Sequence, residues 1–275
     1  MTRRVRLLQH KTEAYWFYRV LSLVYDGWVN PLFWTPAMRA DALAAATLDA
    51  RGLRTLDVGA GTGFTTEGIV AMVDAANVTM LDQSPHQLAR AEAKPALARC
   101  AKVLGDAEDL PFPTDHFDRY VSAGSIEYWP EPQRAIAEAY RVLRPGGTAA
   151  LIGPVRPGNP LLRRLAETWM LFPTESQYRD WFTAAGFDAV ALRALAPDWY
   201  RSPRGPYAVV VSGNKPGAGL SPLRLPPPRE TARAPLRPAE RARVALRFAV
   251  GSLAGALFVP VGAALALRHR LRARS

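Results

Sequence analysis

The sequence predicts an α/β fold, a seven-stranded and mostly parallel sheet with helices on both faces. Three observations predict it. From about residue 40 to 212, short β-rich runs alternate with helical patterns, the signature of a parallel sheet. The first of these runs enters a glycine turn, Gly59-Ala-Gly-Thr-Gly63, and a helical pattern follows. The next run ends on an acid, Asp82, placed as the carboxyl-edge acids of nucleotide folds are.

Seven runs read as strands, at 55–58, 78–82, 101–104, 119–123, 148–152, 189–194 and 207–211. Ser84-Pro85 supplies an N-cap and a first helical residue after the second strand. Arg141-Val-Leu-Arg-Pro-Gly-Gly147 closes a helix and turns into the fifth strand. The domain is therefore placed at 40–212. Before it, residues 1–39 read as a helical lid segment, because 13–34 carries Phe17, Val20, Leu21, Val24, Tyr25 and Trp28 on one helical side.

After the domain, 213–247 reads as a Pro/Arg-rich linker, with seven prolines in 213–240. Residues 248–267 are twenty in a row without a charge, and as a helix would span ~30 Å, one hydrocarbon thickness. Arginines flank the run on both sides, and 268–275 is a basic tail. The expectation is a single-pass C-terminal membrane anchor, with membrane lipid as a partner and the globular domain on the cytoplasmic side.

Charge supports that division. The net charge is +11, but twelve basic residues against two acidic ones lie after Ser212, so the domain is nearly neutral. A nucleic-acid enzyme would carry a basic face on its core, so no nucleic-acid partner is expected. Cys100 is the only cysteine, which excludes an intrachain disulfide and suits an inert core position. The four histidines, at 10, 86, 116 and 269, are scattered, and no metal site is expected. No apolar stretch of signal-peptide length follows the basic N-terminus.

The glycine turn narrows the chemistry. A dinucleotide-binding turn would place its third glycine at position 64, which is Phe64, so pyrophosphate binding and a nucleotide-dependent oxidoreductase are disfavoured. The form Gly59-x-Gly61-x-Gly63 instead resembles motif I of class I (Rossmann-like) methyltransferases. The match is closer than that superfamily. The stretches Gly61-Thr-Gly-Phe-Thr-Thr66, Leu81-Asp-Gln-Ser-Pro-His-Gln-Leu88, Gly105-Asp-Ala-Glu-Asp-Leu-Pro-Phe112 and Arg119-Tyr-Val-Ser-Ala-Gly-Ser-Ile-Glu-Tyr-Trp-Pro130 are similar to the 2-methyl-6-phytyl-1,4-hydroquinone (MPBQ/MSBQ) methyltransferases, as is Trp169-Met-Leu-Phe-Pro173. The similarity runs from about Tyr15 to about Ser212.

That resemblance implies S-adenosyl-L-methionine as cofactor and a prenylated hydroquinone as the substrate methylated on its ring, in quinone or tocopherol-type biosynthesis. It implies a cofactor site at Asp57, Gly59, Ala60, Gly61 and Gly63 of the first loop, Asp82 and Gln83 at the ribose, Asp106 and Ala107 beside the adenine, and Ser122 on the fourth strand. Candidate bases are Glu127 and Tyr128 on the loop after that strand, with His86 third. Trp16, Tyr25, Trp28, Trp34, Trp199 and Tyr200 could stack a quinol ring. The alternatives are a methyltransferase of another lipophilic substrate (a sterol, a phospholipid or a menaquinone precursor) and a non-catalytic membrane scaffold that binds S-adenosylmethionine.

Overall fold

A computed structural model of the protein describes residues 34–160, 171–200 and 205–226, with isolated positions between 163 and 167 and between 242 and 271. Seven strands form one sheet: β1 (Thr55–Val58), β2 (Val78–Asp82), β3 (Ala101–Leu104), β4 (Phe117–Ala123), β5 (Leu143–Pro154), β6 (Asp188–Leu195) and β7 (Ala208–Asn214). Their order is β3-β2-β1-β4-β5-β7-β6. All pairs are parallel except those of β7, which runs antiparallel to both β5 and β6.

Because side chains alternate along a strand, each central strand feeds two cores. On one face Leu56, Tyr120, Leu151 and Val211 meet Ile136, Tyr140, Tyr178 and Phe182, from helices α4 (Pro132–Val142) and α5 (Glu175–Ala185). On the other, Met80, Val121, Ile152 and Val210 meet Leu43, Ile69, Leu88 and Ala91, from α1 (Pro36–Ala44), α2 (Phe64–Val70) and α3 (Pro85–Glu92). Helix starts follow local chemistry. Thr35 and Ser84 cap α1 and α3 ahead of Pro36 and Pro85, and Thr174 with Gln177 forms a capping box on α5.

Three expectations need correction. The domain does not begin at residue 40: α1 starts at Pro36, and its Met38 and Leu43 are buried in the second core. The remainder of the expected lid, 1–33, lies outside the described residues. Nor does the domain end at Ser212. Strand β7 continues to Asn214, and Lys215 is fully buried, its Nζ donating to Asp115 Oδ1 (2.5 Å) and the Gly219 carbonyl (2.8 Å) above the Tyr140 ring. Ser221 donates to the Ala185 carbonyl, and Arg134 to that of Pro226. The first part of the expected linker is thus a strap on the α4–α5 face. Prolines and glycines there concealed a lysine whose ion-pair partner, Asp115, lies a hundred positions away.

The third correction concerns the single-pass anchor. Among the described residues no helix is long and apolar enough to cross a membrane. The expectation rested on the length of the run, its lack of charge and the arginines that flank it. Eleven of the twenty residues in 248–267 are Ala, Gly, Ser or Pro, which bury little apolar surface or interrupt a helix. Most of that run lies outside the described residues, and the described Leu267 is exposed. The anchor, and membrane lipid as its partner, are withdrawn.

Candidate active site

Since β1 to β4 are parallel, the loops that follow them open at one edge of the sheet. The chain moves outward from β1 to β2 and β3, then returns to β4 on the other side of β1. The crevice of such a sheet opens at that switch, between β1 and β4. Ser122 closes its floor: buried on β4, its Oγ donates to the Val58 carbonyl (2.8 Å) and lies 2.6 Å from Ser125 Oγ.

The glycine turn is shaped by this crowding. Gly59 adopts φ +69°, and a Cβ there would collide with Ser125. Gly63, at φ +88°, would drive a Cβ into Leu97. Gly61 is different. It too is left-handed, at φ +56°, but a Cβ would meet nothing within 4 Å. Its open side is a cradle that a side chain would fill. The turn is held down by Gly59 and Ala60, whose N–H groups both donate to the Leu81 carbonyl.

Two carboxylates face this turn. Asp82 accepts from Gly61 N–H through Oδ2 (2.9 Å) and from Ser84 N–H through Oδ1 (2.8 Å), with Gln83 N–H adding a third bond. Burial raises its pKa against these hydrogen bonds. Its oxygens retain lone pairs for further donors. Asp57 is buried on β1. Its Oδ2 accepts from the Thr66 hydroxyl (2.6 Å), while Oδ1 has no partner among the described residues. Burial pushes its pKa up to about 7, Thr66 opposing the rise and the charge of Asp82 adding to it.

The third loop is clamped to α4. Arg141 donates to Glu138 and to the carbonyls of Leu110 and Phe112, and Glu138 accepts from Leu110 N–H. This holds Asp106, whose Oδ1 accepts from Glu108 N–H, and the buried Ala107 at the edge.

After β4 the chain turns at Gly124 (φ +64°) into a short 3-10 helix, Ile126–Tyr128. Glu127 is buried there, with its Oε1 3.8 Å from where a Gly124 Cβ would stand. Its Oε2 has no partner among the described residues, and burial pushes its pKa up to about 7. Tyr128 is buried but belongs to neither core. His86 is not brought to this place. It is exposed on the first turn of α3, after β2, which lies two strand spacings (about 10 Å) from β4.

Of the aromatic candidates, Trp34 packs into the second core and Trp16, Tyr25 and Trp28 lie outside the described residues. Trp199 and Tyr200 form a three-ring cluster with Tyr207, centroids 5.2–6.1 Å apart. Four contributors escaped the sequence reading: Thr66, Ser125, Tyr178 and the Glu138–Arg141 clamp. Only Thr66 carried a signal, its place in the first turn after the glycines.

A methyltransferase-domain family profile matches residues 56–151. The 2-methyl-6-phytyl-1,4-hydroquinone methyltransferase of Arabidopsis thaliana is 56% identical over 92% of this chain and 75% of its own length. The Spinacia oleracea protein of the same name is 54% identical over 93% and 74%. The chain belongs to this methyltransferase family. It is an S-adenosylmethionine-dependent methyltransferase. An S-adenosylmethionine-dependent methyltransferase of Mesorhizobium loti shares the fold, at TM-score 0.55 and 21% identity over 69% of this chain and 99% of that one. So does the protein solved with the Haloferax volcanii Trm112 methyltransferase activator, at TM-score 0.59 and 21% identity over 78% and 100%. Both plant relatives are named chloroplastic, so the expected cytoplasmic-side placement is withdrawn along with the anchor.

Proposed function

We propose that this enzyme methylates a ring carbon of a prenylated hydroquinone and that Glu127 takes the phenolic proton. The observation that carries the reading is the Glu127 carboxyl: buried after β4, one oxygen unpartnered among the described residues, and held near neutral pKa. A base so tuned is ionised in half the molecules at about pH 7 and still basic enough to accept a proton. The substrate class comes from the relatives, whose names give a phytyl hydroquinone.

The residues at the glycine turn fit S-adenosylmethionine. The open side of Gly61 takes its backbone approach, Asp82 has lone pairs for ribose hydroxyls, Asp57 has a free oxygen for a cationic group, and Ala107 offers an apolar surface beside the adenine. When bound, S-adenosylmethionine supplies an electrophilic methyl group. The protein's own part is to hold the ring in line with that group, which can lower the barrier by up to roughly 10 kcal/mol, and to ionise the phenol. Removing the phenolic proton to Glu127 raises electron density on the ortho carbon; once that carbon is methylated, it releases its own hydrogen as a proton and the oxygen regains one, restoring the aromatic ring. Tyr128 walls the pocket.

Radiolabelled S-adenosylmethionine offered with prenylated hydroquinones, a sterol and a phospholipid tests the reading. Label should enter the hydroquinone ring. Label in the sterol or phospholipid alone, or in none, contradicts it.

A further inference from the structure

The carboxyl edge of the sheet holds a second concavity, away from the glycine turn. Leu195 at the end of β6, Ala208 at the start of β7 and Pro154 at the end of β5 stand in register, so this edge continues from the Glu127 loop across three more strands. Beyond β6 lies a cleft of about 490 Å³, lined by Ala194, Leu195, Ala196, Tyr200, Pro206 and, from α5, Glu175. That volume lies within the range of small-molecule sites. Its lining is mainly apolar, with the exposed Glu175, the Tyr200 hydroxyl and the Gly205 backbone as polar points. Tyr200 is fixed in place by edge contacts to Trp199 and Tyr207, and its hydroxyl donates to the Gly205 carbonyl (3.2 Å).

One helical turn of α5 separates the cleft from the packing around Glu127. Glu175 lines it at the first residue of α5, and Tyr178 stands three residues on, on the same side of the helix. Tyr178 is fully buried, donates to the Pro154 carbonyl (3.0 Å), and lies near enough to Glu127 for that charge to raise its own pKa. Gly153 makes room for it, since a Cβ there would collide with the Tyr178 hydroxyl. From the end of β4 to the end of β6 is three strand spacings, about 14 Å. An occupant anchored by its ring at Glu127 must therefore be long, apolar and flexible to reach the cleft.

We propose that the cleft between α5 and the β6–β7 edge holds the prenyl tail of the quinol whose ring lies at Glu127. The assignment rests on the hydroquinone reading above, and adds where the enzyme reads the tail. Glu175 at the α5 rim is the one charged side chain of the lining, and the other walls are two alanines, a leucine, a glycine, a proline and an aromatic face, which suit isoprene units.

Ala194→Trp and Ala196→Trp test it. Both alanines are exposed, so a larger side chain can occupy the cleft without entering either core. Each variant is assayed with a long-tailed hydroquinone and with its tail-less analogue in the same detergent, beside S-adenosylmethionine affinity and melting temperature. Displacing two buried methylenes corresponds to a change on the order of tenfold in binding. The ratio of kcat/KM for the long-tailed over the tail-less substrate should fall by at least that factor, with cofactor affinity and melting unaltered. An unchanged ratio in both variants overturns the assignment, whether or not overall activity falls. If the unsubstituted protein binds S-adenosylmethionine yet methylates neither hydroquinone, the hydroquinone reading itself has failed and the tail site falls with it.

Discussion

Replacing Glu127 with glutamine should make the protein more stable and nearly inactive, each effect with its own pH signature. Burial holds the folded-state pKa at about 7 against an ordinary 4.5. At about 1.36 kcal/mol per pH unit, keeping this carboxylate ionised in the folded protein costs about 3 kcal/mol above pH 7. Below pH 4.5 the group is protonated in both states and contributes nothing. Between 4.5 and 7 the folded state retains a proton that the unfolded chain has lost, so stability falls as pH rises. Above 7 the whole cost is present. Glutamine removes it, although its own amide must then find partners. Melting should therefore rise by several degrees at pH 8.5, at about 2–4 °C per kcal/mol for a domain of this size, and differ little near pH 4.5. Turnover should fall about 10²- to 10⁴-fold, the usual worth of a positioned base. Thermal melts at the two pH values and a methyl-transfer assay check both. Equal melting shifts at both pH values would refute the buried carboxylate, and turnover within a few-fold of the parent would refute the base.

Gly61→Ala and Gly59→Ala should part company. The first meets open space, so it should cost only about 1–2 kcal/mol of left-handed strain yet weaken S-adenosylmethionine binding in calorimetry; the second should also unfold early, because its Cβ strikes Ser125. Asp57, with its pKa near 7, should make cofactor affinity rise with pH through about 7 as the carboxylate forms, and a flat affinity profile would take Asp57 out of the site. Lys215→Met should destabilise by about 1–3 kcal/mol, since its hydrogen bonds to Asp115 and the Gly219 carbonyl are lost while the Asp115 carboxylate stays partly exposed to water. A chain ending after Ser212 should melt at least as early, whereas one ending after Pro226 should melt like the parent.

What could be read from the sequence followed the locality of its cause. Strands β1, β2 and β3 are short apolar runs between turn residues, and their bounds were readable to the residue. Strand β5 was not. Its first five residues are Leu143-Arg-Pro-Gly-Gly147, a turn by local propensity and left-handed at Gly146 (φ +76°), held to the sheet by Leu143 pairing with Phe117 and by Gly146 and Gly147 exchanging hydrogen bonds with Lys215. The cofactor loop was readable because its glycines answer a local need for positive φ. The surroundings of Glu127 were not, since Tyr178 reaches it from fifty-one residues away and only the packed sheet brings them together. His86 shows the opposite failure: a plausible base by type and by nearness to Asp82 in sequence, it sits exposed behind a different strand.

The central claim is that a buried carboxyl of near-neutral pKa ionises the quinol. The most direct test is the pH dependence of kcat/KM for methyl transfer to a prenylated hydroquinone at saturating S-adenosylmethionine, so that the effect of Asp57 on cofactor affinity does not enter, with the parent enzyme beside Glu127→Gln. The account predicts that the parent rises through a midpoint near pH 7 to a plateau, and that the residual activity of the variant lacks that midpoint. A parent profile that climbs without a break near 7, or a variant that keeps the same midpoint, would contradict it.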